Sequence, residues 1–205
     1  VSYVADQPLE LKPGSKYRYS NTDNIVVGLM IQAATGRSYE DVLQAKVFGP
    51  LGLTATTLPR GVQIPAPFLH GYTLEPSGPP QDGSEAALAA GWSWASGGIL
   101  STPDALNRFI RAYASGATAN KAALAAQYRF VSGSSEPPGP GTNSAGLGIF
   151  RYQTRCGTVY GHTGNTPGGY TQFAAATRDG TRSATVSISA VLTPKSDPAR
   201  FPALR

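Results

Sequence analysis

Apolar side chains recur at helical spacing near the beginning of the chain, which predicts a helical hairpin over residues 22–48. The repeating positions are Ile25, Val26, Leu29, Met30 and Ala33. The polar run that begins at Asn21 is typical of a helix start, and Gly36 is typical of a helix end. Ser38, followed three residues later by an aspartate, predicts the start of a second helix, which ends at Gly49.

A third helix is predicted from the segment Ser101-Thr102-Pro103-Asp104, which combines a hydroxyl cap, a proline in the first turn and an acidic residue. Its apolar stripe comprises Leu106, Phe109, Ile110 and Tyr113, and Gly116 ends it. A shorter helix is expected over 119–129. Proline- and glycine-rich stretches predict a long loop over 54–90, with a short strand at 68–74, and a second loop over 132–141.

From Ala145 onward the pattern is typical of strands. The predicted strands are 147–151, 158–162, 170–177 and 182–192. Asp179-Gly180 between the last two predicts a hairpin with a type I′ turn. The apolar positions of the last strand alternate with serine and threonine, which predicts a half-buried strand with one polar face. We therefore expect an α+β fold with a mainly helical part over 22–130 and antiparallel strands over 145–192.

Composition narrows the possible functions. The chain has 205 residues, of which 40% are hydrophobic and 14% are charged, so it is expected to be globular. The net charge of +5 is spread over scattered basic residues, without the cluster of basic and aromatic side chains that nucleic-acid binding favours. Cys156 is the only cysteine and His70 and His162 the only histidines, so no metal or other cofactor is predicted. No apolar run is long enough to span a bilayer.

Three short segments carry side chains that could take part in chemistry. They are Tyr19-Ser20-Asn21, the segment from Trp92 to Gly98, and His162-Thr163-Gly164-Asn165. Taken singly, each has an ordinary structural explanation. The first can be a helix cap with a packed tyrosine, the second can seal a core edge, and the third can be a polar turn after a strand.

Taken together, the segments resemble the penicillin-recognising serine hydrolases, in the branch of the D-alanyl-D-alanine carboxypeptidases and class C β-lactamases. Tyr19-Ser20-Asn21 is similar to the Y-x-N element of that family, and His162-Thr163-Gly164 is similar to its K/H-T-G element. Phe48 to Leu53, Gly97 to Asp104 and Gly146 to Gly148 also resemble that branch. The resemblance runs from about residue 11 to residue 192, and it implies a β-lactamase/transpeptidase-like fold, an antiparallel sheet flanked by helices.

The resemblance also implies roles for individual side chains. The implied catalytic residues are Tyr19, Asn21 and His162, and the implied substrate-binding residues are Trp92, Arg151, Thr163, Gly164 and Asn165. Tyr19 passes a proton between the nucleophilic serine and the leaving nitrogen, and Asn21 holds the substrate amide carbonyl. His162 adds positive field beside Thr163, which binds a terminal carboxylate. The backbone N–H of Asn165 supplies half of the oxyanion hole.

The family's nucleophile motif, S-x-x-K, is missing from the sequence. The residues three positions before the five lysines are Leu9, Pro13, Leu43, Thr118 and Leu192. We therefore expect a partial β-lactamase-like domain over 1–205, incomplete at its N-terminus and inactive alone. Arg151 stands one position beyond the place where the family often has a carboxylate-binding arginine, and neighbouring strand residues point to opposite faces.

Several functions remain open at this point. A D-alanyl-D-alanine carboxypeptidase or β-lactamase acting on D-alanyl peptides of peptidoglycan or on β-lactams is the first, and a secreted or periplasmic location goes with it. A β-lactamase-fold esterase and a non-catalytic binding fragment, or one half of a two-chain assembly, are the alternatives. An α/β-hydrolase is disfavoured because no G-x-S-x-G is present.

Overall fold

The fold is given by a computed structural model, which describes residues 2–61, 63–74, 78–85, 93–132, 142–166 and 169–191. The helices are α1 (Ser2–Ala5), α2 (Asn21–Thr35), α3 (Tyr39–Leu43), α4 (Trp94–Gly97), α5 (Pro103–Ser115) and α6 (Lys121–Gln127), with a π-helical turn at Gln44–Phe48. None of the helices in these ranges is both long enough and apolar enough to cross a membrane.

The helix boundaries follow the predicted caps closely. The cap of α2 was predicted at Asn21, but it is Ser20, because the Ser20 Oγ accepts a hydrogen bond from the Asp23 N–H at 3.2 Å and Asn21 is the first residue of the helix. Gly36 ends that helix with a φ of 65°, a left-handed conformation that glycine adopts without the clash of a side chain. Ser38 caps α3 and Thr102 caps α5 in the same way as Ser20. The predicted helical hairpin is confirmed, with the π-helical turn as an addition to it.

A six-stranded antiparallel sheet forms the second half of the molecule, with the strands in sequence order β3 to β8. They are β3 (Val131–Ser132), β4 (Thr142–Ala145), β5 (Phe150–Thr154), β6 (Gly157–Thr166), β7 (Tyr170–Ala176) and β8 (Ser183–Ile188). The prediction missed β3 and β4. It also began β5 too early, because Gly148 has a φ of 66° and lies in a bend before the strand. A small separate hairpin pairs β1 (Tyr72–Thr73) with β2 (Gln81–Asp82).

The hairpin between β7 and β8 differs from the predicted one. Ala176 pairs with Ser183, and the connection is longer than two residues. No non-glycine residue in the described part of the chain has a positive φ, so Asp179 cannot take its place in a type I′ turn. Its carboxylate instead accepts hydrogen bonds from the Thr177 hydroxyl and from Thr181. These bonds, the one from Thr177 above all, lower the pKa of Asp179 to about 2.

The long helix α5 packs on one face of the sheet. Ile110 and Ala114 of α5 are buried against Ala174 and Ala176 of β7. The polar face of β8 lies on this side, because the Ser183 hydroxyl donates to Asn107 and the Thr185 hydroxyl donates to the carbonyl of Pro103. The apolar face of β8 is the more exposed one: Val186 is 47% exposed. The predicted alternation is therefore present, but α5 packs on the hydroxyl side.

A close contact joins α4 to α2. A Cβ placed on Gly28 of α2 would lie 2.7 Å from the Ala95 Cβ and 3.0 Å from the Trp94 ring. Gly28 is the only buried residue of α2. Trp94 also donates from Nε1 to the Glu40 carboxylate at 2.8 Å and packs edge-on against Tyr39. The short helix α4 is thus fixed to both helices of the hairpin.

We predict that Gly28→Ala destabilises the protein, although alanine ordinarily favours a helix over glycine by about 0.5–1 kcal/mol. The added methyl group has no room against Ala95 and Trp94, so the free energy of unfolding should fall by about 1–3 kcal/mol. Urea unfolding followed by circular dichroism measures the change. Gly97→Ala is the matched control, because a Cβ there meets nothing within 4 Å. Equal effects of the two substitutions would contradict the close contact.

Candidate active site

The side chains of Tyr19 and Asn21 meet at the N-terminus of α2. The Tyr19 hydroxyl donates a hydrogen bond to Asn21 Oδ1 at 3.1 Å. Ser96 of α4 donates to the same oxygen at 2.7 Å. Ser20, the residue between Tyr19 and Asn21, caps α2. The cap therefore fixes the backbone from which the side chains of Tyr19 and Asn21 project. The predicted Y-x-N element therefore combines a helix cap with a cluster of polar side chains.

His162 of β6 lies beside this cluster, although it is distant in the sequence. The centroids of the His162 and Tyr19 rings are 6.1 Å apart. The His162 ring also packs against the ring of Phe150 of β5 in a T-shaped arrangement, with centroids 5.0 Å apart and planes at 74°. The fold thus brings together all three predicted catalytic residues, a phenol, an amide and an imidazole.

Burial sets the charge state of the His162 ring. Desolvation lowers the pKa of His162 below its usual value of 6.5, and the hydrogen bond between Nδ1 and the Thr163 carbonyl opposes this effect only in part. The ring is therefore neutral at neutral pH. This differs from the expectation that His162 contributes a positive charge to the site.

Burial also raises the pKa of Tyr19 above its usual value of 10. The phenol is accordingly protonated at neutral pH, in agreement with its role as the donor to Asn21. To act as an anion, Tyr19 would need a cation that a neutral His162 does not provide. As a neutral phenol it can still relay a proton, by accepting one at its oxygen as it releases its own.

The remaining residues of the K/H-T-G element lie within β6, which continues through Thr166, so the segment is not a turn. Gly164 pairs with Gln172 and Asn165 with Thr171 of β7. The Thr163 Oγ1 atom is buried, and Tyr152 is a polar neighbour of the Thr163 side chain. It lies close enough to Tyr152 to oppose, in part, the rise in the Tyr152 pKa that burial causes.

The side chain of Arg151 is engaged by two contacts with other residues of the chain. Its Nε donates to Ser144 Oγ at 3.1 Å, and its guanidinium lies over the Phe130 ring, 4.8 Å from the centroid. The predicted pocket residue Trp92 lies outside the described residues.

Two contacts of the site were not predicted. Ser96 contacts Asn21, and Phe150 contacts His162. Ser96 lies in the segment that was chosen for its tryptophans, and no periodic pattern distinguishes it from the other serines. Phe150 stands opposite Gly161, and alternation along a strand would place the side chains of Phe150 and His162 on opposite faces, so no sequence pattern indicated this contact.

The fold and the meeting of a tyrosine, an asparagine and a histidine agree with the class of serine hydrolases that the motifs resemble. The chain belongs to the Beta-lactamase family, which it matches over residues 1–205. The β-lactamase/transpeptidase-like fold is thereby confirmed, as is the family resemblance read from the motifs.

Solved structures with the same fold include a D-stereospecific amidohydrolase and a D-amino acid amidase. A D-stereospecific amidohydrolase from Streptomyces sp. is 31% identical, with a TM-score of 0.77, over 94% of this chain and 57% of that one. A D-amino acid amidase from Ochrobactrum anthropi SV3 is 25% identical, with a TM-score of 0.73, over 88% of this chain and 52% of that one.

One curated relative from Escherichia coli (strain K12) is named "Putative D-alanyl-D-alanine carboxypeptidase". It is 38% identical over 81 residues, which are 37% of this chain and 19% of that protein. The chain therefore matches less than two thirds of the length of each of these relatives.

We predict that His162 titrates below pH 6.5, because burial disfavours the charged ring. An NMR titration of the two histidine rings measures this directly, and His70→Gln assigns the remaining signal. Since the unfolded chain binds the proton more readily than the folded chain, the free energy of unfolding should fall as the pH is lowered from about 6.5 toward the folded pKa. A His162 midpoint at or above 6.5 would contradict the burial of the ring.

Proposed function

We propose that the chain is the part of a serine acyl-enzyme hydrolase that carries Tyr19, Asn21 and His162, and that an S-x-x-K segment outside these 205 residues supplies the nucleophile. The substrates are amide bonds of D-amino acid compounds, D-alanyl peptides of peptidoglycan first among them. β-Lactams would enter the same site as acylating substrates. Action on peptidoglycan goes with a secreted or periplasmic location.

The convergence of the phenol, the amide and the imidazole supports this proposal most strongly. The serine oxygen attacks the carbonyl carbon of the substrate, and its proton passes to the Tyr19 oxygen. Tyr19 releases its own proton to the leaving nitrogen, the C–N bond breaks, and an acyl-enzyme remains. Water then releases the acid and restores the serine. The buried, protonated state of Tyr19 is suited to this relay.

Asn21 and His162 have positioning roles and take no part in the proton transfer. The side-chain N–H of Asn21 donates to the amide carbonyl of the substrate and so orients the scissile bond. His162 packs against Phe150 and faces Tyr19, so it limits the position of the phenol and excludes water from one side of it. A backbone N–H at Asn165 would stabilise the developing oxyanion, together with the N–H of the serine.

Labelling with a fluorescent penicillin tests the acyl-enzyme chemistry. We expect the 205-residue chain alone to stay unlabelled, because it has no S-x-x-K motif. A polypeptide in which an S-x-x-K segment precedes residue 1 should become labelled, and replacing the serine of that motif by alanine should abolish the label. Absence of label and of hydrolysis in the longer polypeptide would favour a non-catalytic binding fragment.

A second candidate is an amidase that acts on D-amino acid amides, which have no free carboxylate. The engagement of Arg151 by Ser144 and Phe130 favours it, because a carboxypeptidase needs a cation to hold the terminal carboxylate of its substrate. The neutral state of His162 favours it for the same reason. The names of the Streptomyces and Ochrobactrum proteins are in keeping with amide substrates.

A paired substrate comparison separates the two candidates. The longer polypeptide should be given an acyl-D-alanyl-D-alanine peptide and the same peptide with a C-terminal amide. If Arg151 remains bonded to Ser144, we expect the peptide with a C-terminal amide to be cleaved at least as fast as the peptide with a C-terminal carboxylate. Arg151→Gln should then change the two cleavage rates equally. A strong preference for the acid that Arg151→Gln removes would identify the carboxypeptidase instead. Cleavage of small acyl esters alone would point to the esterase.

A further inference from the structure

The hydrogen bonds at Asn21 occupy the oxygen of its side-chain amide and leave the N–H bonds of that amide available. Asn21 Oδ1 accepts from Tyr19 at 3.1 Å and from Ser96 at 2.7 Å. A carbonyl oxygen of this type has two lone pairs, so the two hydroxyls use its acceptor capacity. The two N–H bonds of the same amide are then directed away from both hydroxyls.

The Ser96 hydroxyl owes its position to the contacts of α4. Ala95 and Trp94, its neighbours on that helix, pack on Gly28 of α2 without space for a methyl group between them. Trp94 is further tied to Glu40 by a hydrogen bond of 2.8 Å. Ser96 therefore approaches Asn21 from an element that is itself held against the helix that begins at Asn21.

We propose that Ser96 is a positioning residue that fixes the orientation of the Asn21 amide, so that its N–H bonds are presented to the carbonyl of the substrate. The inference rests on the proposed function for its effect on acylation, but the orientation itself does not depend on it. Without the Ser96 hydroxyl, Asn21 Oδ1 keeps only the hydrogen bond from Tyr19. In the proposed reaction the Tyr19 hydroxyl also has to take part in proton transfer. The amide can then rotate and offer its oxygen, rather than its N–H, to a substrate carbonyl.

The first test uses the 205-residue chain and measures the side-chain amide signals of Asn21 by NMR. We expect Ser96→Ala to shift these signals and to speed their exchange with solvent, and Ser96→Thr, which keeps the hydroxyl, to leave them near their original positions. Circular dichroism checks that both variants are folded. Unchanged Asn21 signals in a folded Ser96→Ala chain would overturn the proposal, as would signals showing that the Asn21 N–H bonds donate to the two hydroxyls.

The second test uses acylation of the longer polypeptide by the fluorescent penicillin. We expect Ser96→Ala to slow acylation roughly tenfold, the effect of losing one hydrogen bond of moderate strength, and Ser96→Thr to restore most of the rate. Because Ser96 acts through Asn21, Ser96→Ala should have no further effect in a chain that already carries Asn21→Ala. Multiplied effects in the double variant would assign Ser96 a merely structural role and refute the proposal.

The two tests also separate failure of this inference from failure of the proposed function. If the unsubstituted longer polypeptide is not acylated, the proposed function fails, and the NMR result alone decides whether Ser96 orients Asn21. If it is acylated and Ser96→Ala leaves the rate unchanged, the proposed function stands and the positioning role is wrong.

Discussion

The contact between Gly28 of α2 and the short helix α4 is the constraint on which the arrangement of the polar cluster depends. It brings Ser96 within 2.7 Å of Asn21, and Asn21 in turn receives the hydroxyl of Tyr19. Asn21 and Gly28 stand seven residues apart on α2, close to two helical turns, so the polar contact and the close packing lie along the same face of that helix. Any side chain larger than a hydrogen at position 28 would separate the two helices, so the chemistry of the site is tied to the packing of a residue that has no functional group.

The sheet contributes to the same site through aromatic packing rather than through charge. His162 lies between Phe150 and Tyr19, and the loss of solvent around the ring lowers its pKa. The same loss of solvent raises the pKa of Tyr19. Both groups are therefore uncharged at neutral pH, and the site relies on hydrogen bonds and fixed geometry. In the proposed reaction, the charge needed to activate the serine comes with the S-x-x-K segment, whose lysine would stand next to the phenol.

Local chemistry made much of the fold predictable. The caps at Ser38 and Thr102 and the left-handed glycines at 36 and 116 were evident because each satisfies backbone groups within one turn. The hairpin at Asp179 was mispredicted because its side chain bonds to its neighbours and favours a longer loop. The position of Ser96 could not be predicted, since it follows from the tertiary packing of α4. Tyr19, Asn21 and His162 were recognisable from motif order, but their charge states depend on burial, which short motifs do not encode.

The apolar surface of α2 affects how the chain will behave in solution. Val27 is 52% exposed and Met30 is 63% exposed, and Val186 adds a further apolar position on β8, which lies at one end of the described sheet order. Exposed aliphatic patches promote self-association. The net charge of +5 opposes this association most strongly at low ionic strength. The chain should therefore form oligomers and scatter light more readily in concentrated samples at high salt than in dilute samples at low salt. Dilute samples at low salt are the better starting point for spectroscopy.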